Sequence, residues 1–306
     1  MYEAYFGLKK KPFTLISDAE FLYMGNTHSA AFAMLEYGVL NQAGFTVITG
    51  EVGSGKTTLI QHLLKQLPGK ITVGLITNTR KNMGELLPWV LHSFKLDYRE
   101  QHPVALYENF SKFLQKQFEL KKRTVLIIDE AQNLGEDVLE ELRMLSNINA
   151  TNDQFLQVIL VGQPELRELL SKPQLMQFSQ RVTVDYHIAP LTPLETASYI
   201  KWRLVQAGAE RDLFTKAAYQ LIYAASRGVP RLINVLCDTA LSFAFGDRLK
   251  VIDEEYLMGV LKERAEGGLL ALGQNPMRQL GDKAFQAQDF EQLFNNVVTS
   301  IKSRRG

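Results

Sequence analysis

Eight consecutive residues limit the fold of this chain more than any other feature. Gly50-Glu51-Val52-Gly53-Ser54-Gly55-Lys56-Thr57 fits G-x-x-x-x-G-K-[ST] at every position. The apolar run Phe45–Thr49 precedes it and the helical-period stretch Thr57–Leu67 follows, which makes a strand, loop, helix frame. In that frame the glycines let backbone N–H groups wrap phosphates, and the helix N-terminus favours negative charge. Lys56 then reaches the terminal phosphates of a nucleotide and Thr57 ligates Mg²⁺. Thr58, one residue further on, completes the candidate nucleotide-binding set.

Further β-type runs follow at Ile71–Thr77, Val125–Ile128, Phe155–Val161 and, with weaker alternation, Val182–Ile188. Helical-period segments separate them, such as Tyr107–Leu120, where Phe110, Phe113, Leu114 and Phe118 share one side. Strands alternating with helices predict a parallel sheet covered on both faces. After Pro190 only helices are predicted. Thr192-Pro193-Leu194-Glu195 forms a capping box that opens a helix to about Ala207. Others run over about Thr215–Ser226, Pro230–Phe245 and Asp253–Ala265. The expected organisation is an α/β nucleotide-binding domain over 1–189, a helical domain over 190–266, and a linker with a C-terminal amphipathic helix over 267–306. In that tail Phe290, Phe294, Val297, Val298 and Ile301 recur at helical spacing.

The chain of 306 residues is 46% apolar and 22% charged, a globular mix that argues against long disorder or a fibrous repeat. Its 34 basic and 33 acidic residues leave no global field to draw it onto nucleic acid or an acidic membrane. A single cysteine, Cys237, excludes an internal disulfide and reads as a small core residue. The five histidines lack metal-ligand spacing. The clusters Lys9-Lys10-Lys11, Lys121-Lys122-Arg123 and Arg304-Arg305 read as solubilising charge before nucleic-acid contacts. With no signal peptide and no run of about 18 apolar residues, the cytoplasm is the expected compartment.

Val125-Leu126-Ile127-Ile128-Asp129-Glu130 reads as a buried strand ending in two acids, which is costly unless a cation or a reaction needs them. Asp129 is the candidate Mg²⁺ ligand beside Thr57, and Glu130 the candidate base for an attacking water.

Together these motifs resemble the AAA+ ATPases over residues 1–265. The closer resemblance is to the ExeA/GspA type, carried by Met1-Tyr2-Glu3-Ala4-Tyr5-Phe6-Gly7-Leu8 with Lys11-Pro12-Phe13, by Phe21-Leu22-Tyr23 and His28, by Asp129-Glu130-Ala131-Gln132-Asn133-Leu134, and by Leu160-Val161-Gly162-Gln163-Pro164-Glu165-Leu166. It implies a RecA-like αβα P-loop NTPase domain followed by an all-α lid, with ATP and Mg²⁺ as cofactors. It also assigns roles. Gln163 resembles sensor 1, Arg181 falls where an arginine finger reaches a neighbouring subunit, and Arg231 in Gly228-Val229-Pro230-Arg231 resembles sensor 2. Asn78 is placed to restrain Glu130 until a partner binds, and reads equally as a plain turn residue at a strand end. The N-terminal aromatics Tyr2, Tyr5, Phe6, Phe13, Phe21 and Tyr23 are expected over the sheet edge, as part of an adenine pocket, with simple core packing as the alternative. The resemblance implies a homo-oligomer, ring or filament, serving a secretion or envelope-assembly system, with any inner-membrane attachment made through a partner. A DNA-binding transposition regulator of the TniB/TnsC kind and a nucleotide-gated scaffold share these motifs.

Overall fold

The computed structural model describes residues 1–16, 21–77, 79–80, 84–99, 102–148 and 155–267. The chain begins with α1 (Tyr2–Phe6), α2 (Asn26–Leu40), β1 (Phe45–Gly50), α3 (Lys56–Gln66), β2 (Ile71–Ile76), α4 (Leu86–Ser93), α5 (Pro103–Glu119) and β3 (Arg123–Ile128). It continues with α6 (Glu136–Leu145), β4 (Leu156–Gly162), α7 (Glu165–Leu170), α8 (Met176–Ser179) and β5 (Val182–Ile188). The last four helices are α9 (Pro193–Gln206), α10 (Lys216–Ser226), α11 (Pro230–Gly246) and α12 (Glu254–Gly267). Two compact units result: Asn26–Val52 with Lys56–Ala189, and Met1–Gly25 with Gly53–Gly55 and the chain from Pro190.

The first unit is built on a five-stranded sheet in the order β2-β3-β4-β1-β5, every pair parallel. β1 and β4 are buried along their whole length, as continuous apolar runs in a sheet covered on both faces must be. β5 lies at an edge and is buried at only two of its seven positions, which is why its apolar alternation is weak in the sequence. The core gathers Phe45, Leu126, Val158 and Leu160 from the strands with Phe110, Leu114 and Phe178 from the helices. α5 starts four residues before the predicted Tyr107, because Pro103 occupies its first turn and the His102 side chain caps Val104 N–H at 3.3 Å. Phe110 and Leu114 are buried as the stripe predicts, while Phe118 stays half exposed against the Phe155 ring.

In the helical unit the capping box forms as read: Glu195 N–H donates to Thr192 Oγ1 at 3.2 Å, and Thr192 N–H to Glu195 Oε2 at 3.0 Å. Ile200, Leu204, Leu221, Ile222, Ile233 and Leu241 are fully or almost fully buried, and Cys237 among them has its thiol pushed up by burial. The N-terminal segment requires a correction. Tyr2, Phe6 and Phe13, expected over the sheet edge with core packing as the alternative, are buried together with Leu8 in this helical core. Tyr2 and Phe6 are four apart and so face the same side of α1. The Tyr2 hydroxyl bonds the Asp238 carboxylate on α11, Lys9 N–H donates to Ala207 O at 2.7 Å, and the buried Arg203 guanidinium donates to Pro12 O. By contacts the first 25 residues group with the helical unit. The tail stripe from Phe290 to Ile301 lies outside the described residues. Among the described residues no helix is long and apolar enough to cross a membrane.

Candidate active site

Parallel strands leave their C-terminal ends on one edge, and the order β3-β4-β1 sets three of those ends side by side. β1 ends at Gly50, and the loop that follows enters α3 at Lys56. Gly53 at φ +81° and Gly55 at φ +96° hold left-handed conformations that a side chain would strain. α3 begins immediately after this turn. Lys56 is 6% exposed, and its ammonium donates to Gly50 O at 2.7 Å and Glu51 O at 2.9 Å. Burial pulls its pKa below the ordinary lysine value, against the opposing pull of the Glu130, Asp129, Glu51 and Glu165 carboxylates.

Beyond β3, Asp129 is 4% exposed and accepts two hydrogen bonds: Thr57 Oγ1 at 2.8 Å on Oδ2, and Glu130 N–H at 2.9 Å on Oδ1. Glu130 itself is left-handed, φ 56° and ψ 36°, a conformation costing a non-glycine residue about 1–2 kcal/mol. Thr79 Oγ1 holds that turn by donating to Glu130 O at 2.7 Å and Asp129 O at 3.3 Å. The Glu130 carboxylate takes Gln163 Nε2 at 3.2 Å and Gln132 Nε2 at 2.7 Å, both on Oε2. The register explains the first of these: Ile128 pairs with Leu160, so the residues just past β3 and β4 are neighbours.

Thus Lys56, Thr57, Asp129, Glu130 and Gln163 come together. Arg181 does not join them. It precedes β5, whose Val182 pairs with Phe45 at the start of β1, and so lies at the opposite edge of the sheet. There its guanidinium donates to Ser146 Oγ at 3.1 Å, Arg143 O at 3.4 Å and the Asn147 side chain, at the end of α6. In the helical unit Arg231 opens α11 and its N–H donates to Gly53 O at 3.2 Å. A Cβ on Gly53 would lie 2.4 Å from Arg231 Cβ, so the glycine is needed for proximity as well as for φ. Asn78 lies outside the described residues. Two residues absent from the predicted set also hold the acids: Thr79 fixes the Glu130 backbone and Gln132 its carboxylate. Thr79's sequence signal is nearness to a strand end; Gln132 falls in the Asp129–Leu134 motif, which gave it no role of its own.

The donor set suits Mg²⁺, which binds one or two hard protein oxygens and completes its shell with water and substrate phosphates. Thr57 and Asp129 supply such oxygens, already within hydrogen-bond distance of each other beside the loop.

An AAA domain model matches residues 39–170. General secretion pathway protein A of Aeromonas hydrophila is 40% identical over 246 residues, covering 80% of this chain. The chain spans about half the length of that relative, 45%. Among solved structures, the Aeropyrum pernix ORC2 protein in ADPNP-ADP complexes matches with a TM-score of 0.59 at 16% identity, over 90% of this chain and 75% of that one. Cdc6p from Pyrobaculum aerophilum matches with a TM-score of 0.59 at 17% identity, over 81% and 71%. At such identities these two structures speak for the fold alone. Fold, phosphate loop and domain match together identify an AAA domain over residues 39–170, built on the parallel sheet. Within that class its likeness is to general secretion pathway protein A.

Proposed function

We propose that the chain hydrolyses ATP with Mg²⁺ and couples binding and turnover to assembly or remodelling of a secretion or envelope machine. The convergence of Lys56, Thr57, Asp129, Glu130 and Gln163 at one edge of the sheet carries the hydrolytic reading. In it, the loop N–H groups of residues 50–58 and the Lys56 ammonium bind the phosphates, Lys56 leaving the carbonyls of Gly50 and Glu51 to do so. Bound through Thr57 and Asp129, Mg²⁺ would neutralise charge developing on the phosphate oxygens. Glu130 accepts a proton from the attacking water as the water oxygen bonds to the γ-phosphorus and the bond to ADP breaks. Gln163 orients the same water. By its likeness to sensor 2, Arg231 contacts the phosphates.

The position of Arg181, away from the site of its own chain, supports a role in a neighbouring subunit and hence a homo-oligomeric active form. The likeness to general secretion pathway protein A supports the secretion assignment. Hydrolysis is tested with Glu130→Gln, which should bind ATP and retain it unhydrolysed; phosphate release at the wild-type rate would remove Glu130 as the base. Oligomeric sharing is tested by mixing Arg181→Ala with Lys56→Ala subunits, where recovered turnover is expected. No recovery, with a mass that stays monomeric on a non-hydrolysable analogue, would refute it. ATPase activity that rises severalfold on adding duplex DNA would favour a transposition-type regulator over a secretion motor.

A further inference from the structure

We infer that Gln132 is a positioning residue for hydrolysis, and that Gly162 is small in order to seat it. The inference rests on Glu130 being the base, as proposed above. Gln132 uses both ends of its amide. Its Nε2 donates to Glu130 Oε2 at 2.7 Å, and its Oε1 accepts Gln163 N–H at 3.0 Å. The orientation of that amide is fixed by its partners, since an ionised carboxylate only accepts and a backbone N–H only donates. One side chain therefore ties the acid after β3 to the backbone leaving β4.

The arrangement at Glu130 is lopsided in a way that matters for proton transfer. Gln132 and Gln163 both donate to Oε2, and among the described residues no hydrogen bond reaches Oε1. Among the described residues the carboxylate is thus held by one oxygen. Glu130 has three side-chain torsions, and its last, sp²-terminated one is broad when unrestrained. Two donors on one oxygen remove that freedom, which is the orientation a base needs before water arrives. Of the two bonds, that from Gln132 is the shorter.

Gly162 gives independent support. It ends β4 directly before Gln163, in a strand conformation open to any residue, so backbone freedom does not account for it. A Cβ there would stand 2.9 Å from Gln132 Oε1 and 2.9 Å from Leu166 Cδ2. The amide of Gln132 occupies the space a side chain at 162 would take. The backbone of Gln132 is equally anchored: it lies in the short turn Ala131–Asn133, between fully buried Ala131 and nearly buried Leu134, with Asn133 N–H on Glu130 O at 3.0 Å.

The experiment compares full-length wild type, Gln132→Met, Gly162→Ala, Glu130→Gln and Glu130→Gln/Gln132→Met for turnover of Mg-ATP, affinity for a fluorescent ATP analogue, and melting temperature. Methionine preserves length and volume while removing both amide bonds. Gln132→Met and Gly162→Ala should each lower kcat about 10- to 100-fold, the range for losing a supporting hydrogen bond to an active-site group. Nucleotide affinity should stay within about twofold, a split that a general loss of structure would not produce. Added to Glu130→Gln, Gln132→Met should cost much less than it does in wild type, because its main effect runs through that carboxylate. Wild-type kcat in Gln132→Met or in Gly162→Ala would overturn the inference while leaving the Glu130 assignment standing. So would a full, multiplicative loss in the double variant. Wild-type turnover in Glu130→Gln is a different failure: it removes the base itself, and the positioning role with it.

Discussion

Replacing Lys56 with methionine separates what the loop lysine does for nucleotide from what it does for the fold. Its ammonium is 6% exposed and donates to the carbonyls of Gly50 and Glu51 at 2.7 and 2.9 Å. Losing two hydrogen bonds from a charged donor removes about 1.5–3 kcal/mol each. Against this, a buried ammonium carries a desolvation penalty of several kcal/mol. The downward direction of its pKa shows that burial outweighs the pull of four neighbouring carboxylates. The two effects nearly cancel, so Lys56→Met should change apo stability by no more than about 1 kcal/mol, which for domains of this size is about 2–4 °C in Tm. A non-hydrolysable ATP analogue with Mg²⁺ at a hundred times its Kd should stabilise wild type by about 2.7 kcal/mol. That corresponds to about 5–11 °C. The variant should show none of this increase at the same concentration. Thermal melts with and without analogue decide the matter. An apo Tm lowered by more than about 5 °C would make Lys56 a structural residue, and a retained analogue shift would show that the phosphates are held without it; either result refutes the reasoning.

Two further outcomes follow from the same geometry. Because the Lys56 pKa is lower folded than unfolded, the unfolded chain binds more protons between the two values, so wild-type stability should rise with pH across that alkaline window relative to Lys56→Met; pH-dependent denaturant melts of the pair check the sign. Gly228→Ala should lose more than about 3 kcal/mol or fail to accumulate as soluble protein, since φ there is +74° and the new Cβ would lie 1.9 Å from the Leu191 carbonyl oxygen, a backbone atom that cannot step aside.

Local pattern made much of the architecture legible. The phosphate loop, the five strands, the capping box at Thr192 and the two acids after β3 each depend on residues within a few positions of one another, where periodicity and turn chemistry act. The aromatic N-terminus marks the limit of that reading. Tyr2, Phe6 and Phe13 announce burial by their size, but nothing in their spacing says which apolar surface receives them, and they enter the helical core nearly two hundred positions later in the chain. The same holds for α4. Its first N–H groups find no cap in their own sequence, and the Glu141 carboxylate on α6 accepts from Leu86 at 2.9 Å and Leu87 at 3.1 Å.

The site divides along the same line, and strand order is the reason. Thr57 and Asp129 are far apart in sequence, as are Gln132 and Gln163, yet each pair is within hydrogen-bond distance. Placing β4 between β1 and β3 gives the residues after β3 two neighbours at once: the phosphate loop, reached through Asp129 and Thr57, and the exit of β4, reached through Gln132 and Gln163. Asp129 and Glu130 are conspicuous in the sequence because acids at the end of an apolar strand need a cation or a reaction to justify them. Gln132 has no such mark. A neutral amide two residues beyond an acid costs nothing wherever it falls, and its importance arises only once the sheet has set Gly162 beside it and left a gap of the right size for its carbonyl. Charged site residues in this fold are therefore readable one at a time, whereas the neutral residues that aim them become readable only as contacts between strands.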